Sequence, residues 1–240
     1  GYGRFEGYSN RASLKYRSVY GLDDVLTFYR GTIRKVGFSK AWNMFVQLGM
    51  TDDSYIMEDS ENMSYREFVN SFLPYHPTDS VEIKTRLILK IDQDDIMWDK
   101  LLELDLFNRN KIVGLKNATP AQMLEKILSD SWTLQPDDKD MIVMYHKFGY
   151  EDKGEKKQID SKMVCIGEDQ TYTAMAKTVG LPVAMATLLI LNGKIRTPGV
   201  QLPIRKEVYL PILQELEEYG VVFKEQEMPY LGYNPDKVFN

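Results

Sequence analysis

Residues 141–166 read MIVMYHKFGYEDKGEKKQIDSKMVCI: two apolar, partly β-branched runs, 141–146 and 158–166, around the polar stretch 149–156 (GYEDKGEK). Two such runs about a turn-rich segment predict a β-hairpin. Everything just before it reads as helix. Ser39 is placed to cap a helix carrying Trp42, Phe45 and Val46 on one face. Ser64 and Glu67 form a capping-box pattern ahead of Phe68, Phe72 and Leu73. Residues 81–90 and 96–106 read as helices, the second with Met97, Leu101 and Leu104 inward, and Thr119, Pro120 and Gln122 mark another helix start. Asp92 to Asp105 holds six acids against Lys100, a solvated helix start and face. After the hairpin, helices are expected over about 171–192, ending at Asn192-Gly193, and over about 205–219, with Pro211 kinking or restarting the second. A short final strand is expected at 221–223. Near the start, residues 25–34 (VLTFYRGTIR) read as a strand, with Gly31 marking a bulge or a close backbone approach to a ligand. Strand, helical block, hairpin, helix and helix define an α+β architecture with an inserted all-helical subdomain.

The chain has 240 residues, 30 basic and 35 acidic, for a net charge of −5, and 43% of it is hydrophobic. That excludes wholesale disorder, and the acidic balance argues against nucleic acid as a partner. Cys165 is the single cysteine, so no internal disulfide can form, and a cytoplasmic location is expected. His76 and His146 are far apart and give no zinc-ligand spacing. The longest apolar stretch, 178–191, is interrupted by Gly180 and Pro182 and falls short of the roughly 20 residues of a membrane span, so a buried helix is expected there. The N-terminus lacks the apolar core of a signal peptide.

Charge is unevenly distributed. The first forty positions hold eight bases (Arg4, Arg11, Lys15, Arg17, Arg30, Arg34, Lys35, Lys40) against Glu6, Asp23 and Asp24, which suits a surface that meets an anion. A solvated basic face would look the same. Catalytic motifs are absent. Gly1 and Gly3 begin a dinucleotide fingerprint, but Glu6 holds the third glycine position and no strand precedes it. There is no phosphate-binding loop, no nucleophile elbow and no His-Glu-x-x-His pair.

Several ordered blocks carry a resemblance: GYSNRASLKYRSVYGL (7–22), FYRGTIRKVGFSKAWNMFVQLGM (28–50), KDMIVMYHKFGY (139–150), TAMAKTVGLPVAMATLLILNGKI (173–195) and IRKEVYLPILQELEEYGV (204–221). Together they closely resemble the C-terminal part of glutamate-forming saccharopine dehydrogenase (saccharopine reductase), the region that also ends the bifunctional aminoadipic semialdehyde synthases. The resemblance implies a mixed-sheet substrate and dimerisation domain over 1–38 and 131–240, with the helical insert over 39–130. It implies a part in NADP-dependent interconversion of saccharopine with glutamate plus aminoadipate semialdehyde, NADP being held by a Rossmann domain absent from this chain. It implies a small polycarboxylate substrate, a homodimer, and no nucleic-acid, membrane or metal partner. On the family's motifs, substrate contacts fall on Arg11 of the Asn-Arg pair and on Thr32, Ile33 and Arg34. Guanidinium forks pair with carboxylates in a way that ammonium cannot, which suits a ligand with three carboxylates; surface ion pairs, worth about 0–1 kcal/mol each, are the plainer role for the same arginines.

Two positions depart from the family pattern. Ala12 stands where an aspartate is usual, and Lys35 where an aromatic residue is usual. No general acid or base is assigned, and Tyr2, Tyr8, Tyr16 and Tyr20 read as packing residues. A dehydrogenase for another carboxylated secondary amine, such as a carboxylated polyamine, and a non-catalytic anion- or partner-binding module are the alternative functions.

Overall fold

The computed structural model describes residues 2–10 and 12–232. The chain divides into two compact units, one comprising Gly1–Glu6 with Arg34–Thr133, the other Gly7–Ile33 with Leu134–Asn240. The boundary falls within two short paired strands, β1 (Phe5–Ser9) and β2 (Gly31–Lys35), through which the chain passes from one unit to the other.

The first unit is helical: α2 (Phe38–Leu48), α3 (Tyr65–Ser71), α4 (Val81–Leu89), α5 (Ile96–Glu103) and α6 (Pro120–Trp132), while α1 (Tyr16–Val19) belongs to the other unit. Local chemistry starts these helices where the sequence suggests. The Ser64 side chain accepts from Glu67 N at 3.2 Å while Ser64 N donates to Glu67 Oε2 at 2.8 Å. Thr119 and Gln122 repeat the arrangement with Pro120 at the first helical position. Asp95 caps α5 by accepting from Met97 N at 2.8 Å. The periodic apolar positions then meet in one core, in which Phe68, Met50, Met123 and Ile127 are fully buried.

Two helix limits differ from expectation. Ser39 does not cap α2. The helix opens at Phe38 behind Gly37 at φ 96°, and the Glu6 carboxylate takes Gly37 N at 3.1 Å and Ser39 N at 2.6 Å. An acid from β1 supplies what a local hydroxyl was expected to supply, and the N–H groups of Ser39 and Gly37 hold that carboxyl below its usual range. Helix α5 stops at Glu103 because Asp105 turns to φ 57°, yet Leu104 is still buried.

The second unit holds a sheet of order β3-β4-β5, with β3 spanning Met141–Asp152, β4 Glu155–Ile166 and β5 Lys224–Met228. Both strand pairs are antiparallel, so this sheet is not the mixed one the resemblance implied. A hairpin followed by a returning edge strand needs no parallel crossover. The hairpin is longer than expected. Lys153 and Gly154 both take positive φ, 52° and 84°, and the strands pair without a break from Asp152↔Glu155 to Met141↔Ile166. A two-residue turn of this kind matches the twist of its strands and extends the ladder through polar sequence.

One face of the sheet buries Met163 and Cys165 against α7 (Ala174–Leu191) and α8 (Lys206–Glu218), which contribute Ala174, Met185, Leu189, Ile212 and Leu216. Burial pushes the Cys165 thiol up. Pro211 sits inside α8 without interrupting it. The final strand is displaced from 221–223 to Lys224–Met228, since Val221 is used in the core and its N–H closes the end of α8 on Leu216 O at 3.1 Å. The reading of 178–191 as a buried helix is also corrected. In α7 only Ala174, Met185 and Leu189 are buried, while Val183 is 64% and Leu191 76% exposed. By length and composition alone, α7 is apolar enough to cross a membrane. Its apolar residues run all round the helix, and a single layer of partners covers only one side.

In the first unit, Arg66 donates to Glu82 through both terminal guanidinium nitrogens, Nη1 to Oε1 and Nη2 to Oε2, the latter at 2.8 Å, and this lowers the Glu82 carboxyl to about 2. A depressed carboxyl stabilises the fold above its unfolded value near 4.5, and that contribution is lost as pH falls toward 2. With allowance for solvent around a partly exposed pair, about 1–2 kcal/mol is at stake. In urea titrations at pH 7 and pH 3, Glu82→Gln should be weaker at pH 7 and should lose less on acidification than wild type, the difference being most of that amount.

Candidate substrate-binding segment

The residues singled out by sequence lie on or beside β1 and β2. Within the second unit the chain leaves β1 at Asn10, makes a 3₁₀ turn (Ser13–Lys15) and the short α1 (Tyr16–Val19), and returns through a loop into β2. Asn10 N donates to Arg30 O at 2.9 Å, and the Thr32 hydroxyl donates to Asn10 Oδ1 at 2.8 Å. The Ser13 hydroxyl lies 3.1 Å from Asn10 O and 3.4 Å from Arg30 O. The Arg30 guanidinium stacks 4.1 Å from the centre of the Tyr16 ring, and Tyr16 stacks on Tyr20. Arg17 donates to Leu22 O at 3.4 Å and to Asp23 O, closing the turn after α1.

Thr32, Ile33 and Arg34 are consecutive in β2, so strand alternation puts Thr32 and Arg34 on one face and Ile33 on the other. Thr32 and Ile33 belong to the second unit. Arg34 belongs to the first, where its guanidinium lies 5.3 Å from the centre of the Phe38 ring. Arg11 lies outside the described residues. The strand is shorter than expected, 31–35 in place of 25–34, and Leu26 and Tyr29 in the preceding loop are exposed. Ala12, where the resemblance implies an aspartate, takes a left-handed conformation (φ 49°, ψ 36°) that asparagine and aspartate adopt more readily than alanine. Tyr16 and Tyr20 stack on one another, but Tyr2, Tyr8 and Tyr20 are exposed, so of the four tyrosines expected to be packing residues only Tyr16 is one.

Gly31 does admit a close approach, but from the protein itself. A β-carbon there would lie 2.7 Å from Tyr8 O and 2.9 Å from the Tyr29 ring. Sequence analysis does not single out Asn10 and Ser13, which tie the loop to Arg30 and Thr32; the Asn-Arg pair is the available signal for Asn10.

Other polar features offer less. Tyr145 donates to Asp160 at 2.7 Å, and Gln158 Nε2 donates to the same carboxylate at 2.9 Å. Burial, then Asp160, pushes the Tyr145 hydroxyl up to about 12, so it keeps its proton. A groove of about 430 Å³ in the first unit runs between Trp42 and Trp132, and none of the predicted site residues lines it. Among the described residues no group of three or more His, Cys, Asp or Glu is placed to hold a metal ion.

Residues 1–221 match the model of the saccharopine dehydrogenase C-terminal domain, and the chain belongs to that family. It is 34% identical over 228 residues to the mitochondrial alpha-aminoadipic semialdehyde synthase of Rattus norvegicus, covering 92% of this chain and 24% of that protein. It is 33% identical over 235 residues to the NADP(+), L-glutamate-forming saccharopine dehydrogenase of Saccharomyces cerevisiae, covering 92% of this chain and 51% of that one. The solved apo saccharopine dehydrogenase (L-Glu forming) of the same yeast superposes with a TM-score of 0.79 at 29% identity, over 94% of this chain and 52% of that structure. The chain thus spans about half the length of its fungal relatives and a quarter of the rat synthase.

A β-carbon at Gly31 meets backbone that cannot move aside, so Gly31→Ala should destabilise the fold by about 1–3 kcal/mol. Chemical denaturation of the single variant measures this directly; an unchanged midpoint would mean that the strand relaxes.

Proposed function

We propose that this chain is the substrate-binding part of a saccharopine reductase, working in the NADP-dependent interconversion of saccharopine with glutamate plus aminoadipate semialdehyde. The single observation that carries the reading is the family match across residues 1–221, joined to a Thr-Ile-Arg run held in a regular strand. In this reading Arg34 and Arg11 meet substrate carboxylates, and Thr32 and Ile33 line the same stretch. A guanidinium offers two parallel N–H donors to a carboxylate, and such a pair gains most where water is excluded.

The described residues do not fit NADP. The sheet of the second unit is antiparallel, and no glycine-rich turn leads from a parallel strand into a helix. The cofactor is therefore assigned to a part outside this chain, and the chain's own contribution is to bind and orient the substrate. Its architecture, in this proposal, is a substrate and dimerisation domain over 1–38 and 131–240 carrying the helical insert over 39–130. We also propose a homodimer, supported by the exposed apolar surface of α7. The buried lone thiol Cys165 suits a reducing compartment, and the cytoplasm is the proposed location, although the rat relative is named as mitochondrial.

In the full-length protein, Arg34→Lys should raise the saccharopine KM about tenfold or more, with NADP affinity and melting temperature nearly unchanged. Arg17, which serves the turn at Leu22–Asp23, is the control. Arg17→Lys should leave KM alone and cost only a little stability. Equal small effects on KM from both would return Arg34 to a surface role. Light scattering across concentrations should give twice the chain mass for the homodimer, and a constant monomer mass would end that part of the proposal.

A further inference from the structure

Asn10 is bonded from three directions within the second unit. Its N–H is fixed to Arg30 O, its carbonyl takes the Ser13 hydroxyl, and its side-chain oxygen takes the Thr32 hydroxyl at 2.8 Å. The first two bonds hold the main chain on both sides of the side chain. The third has a consequence for recognition. A threonine hydroxyl has one proton and two lone pairs. With the proton given to Asn10 Oδ1, what Thr32 can show a ligand is an acceptor.

We propose that Asn10 is a positioning residue that sets the polarity of Thr32, so that Thr32 recognises an amino N–H of an amino-dicarboxylate ligand and not one of its carboxylates. The proposal rests on the reading of Thr32 as a substrate contact. A ligand of the saccharopine type alternates carboxylates with amino groups. Guanidinium groups can serve only the first, because arginine has donors and no acceptor. Something nearby has to accept from the nitrogen, and a hydroxyl whose proton is already spent does so without competition. Were Thr32 to donate to a carboxylate, Asn10 Oδ1 would lose its donor in a half-buried position, at a cost that works against binding.

The test is competitive inhibition of saccharopine-dependent NADP+ reduction by the full-length protein. The probes are L-glutamate and glutarate, which carry the same two carboxylates with and without a nitrogen. Wild type should prefer glutamate. Thr32→Val and Asn10→Ala should each cut that preference about tenfold, mainly by weakening glutamate, and the double variant should cut it no further. Thr32→Ser should restore it. A merely structural role for Asn10 would weaken both inhibitors alike. If Asn10→Ala does not fold, Asn10→Asp, which keeps an acceptor for the hydroxyl, should retain the preference while weakening both anions. Equal loss of glutamate and glutarate in Thr32→Val would overturn the assigned polarity. A preference that survives Asn10→Ala but not Thr32→Val would overturn the role of Asn10 alone. If Thr32→Val moved neither inhibitor nor the saccharopine KM, the substrate-site reading itself would fall, and this inference with it.

Discussion

The register of the β3–β4 hairpin is the constraint on which the second unit rests. Lys153 and Gly154 at positive φ fix Asp152 opposite Glu155, and every later pair follows. Side chains alternate with a period of two, so a slip of one residue would move Met163 and Cys165 from the core face to the opposite one and bring Lys162 and Val164 inward. Helix α7 packs on that face, α8 joins the same core against α7, and β5 pairs on β4 from residue 158 to residue 162, so all three depend on the same alignment. A charged turn far from any core residue thus decides which residues the core contains.

The loop between β1 and β2, the proposed substrate-binding segment, is held in a different way. It has little core of its own and relies on polar ties. Asn10, Ser13 and Arg30 bind the entering and leaving arms of the loop to each other, and the Arg30–Tyr16–Tyr20 stack covers its flank. Such ties are each modest in free energy but specific in geometry, which suits a surface that must hold donors and acceptors in a fixed order. The glycine at 31 belongs to the same logic, letting a backbone carbonyl come where a side chain would otherwise stand.

Much of this was legible in the sequence, and what was not has physical reasons. Capping boxes at Ser64 and Thr119 are local, needing only residues three apart, and the helices start where the sequence says. The cap of α2 comes from Glu6, 31 positions before the Gly37 N–H it accepts, which no local pattern can signal. The apolar runs signal the hairpin, but its polar half reads as turn, because alternation vanishes where neither face is buried. Val221 and Phe223 read as strand because they are β-branched and aromatic; Val221 is buried in the second unit's core, Phe223 packs beside that core against the His146 ring, and the adjacent KEQEM stretch forms the edge. For α7, hydrophobicity alone does not tell burial in this unit from burial against something else. Family motifs in the sequence mark Thr32, Ile33 and Arg34, whereas the bond from Thr32 to Asn10 joins residues 22 apart and no sequence pattern signals it.

The remote cap has one more consequence, for how such a chain can be cut and joined. Residues 34–133 contain all five helices of the first unit, so they look like a cassette that might be excised or transplanted whole. They are not self-sufficient, because the first turn of α2 is closed by a carboxylate from the N-terminal strap that precedes the segment by nearly thirty residues. A graft that begins at residue 34 leaves two helix-opening N–H groups without their acceptor. A functional cassette therefore has two pieces, and any rearrangement of the gene that separates them loses the lock on its first helix.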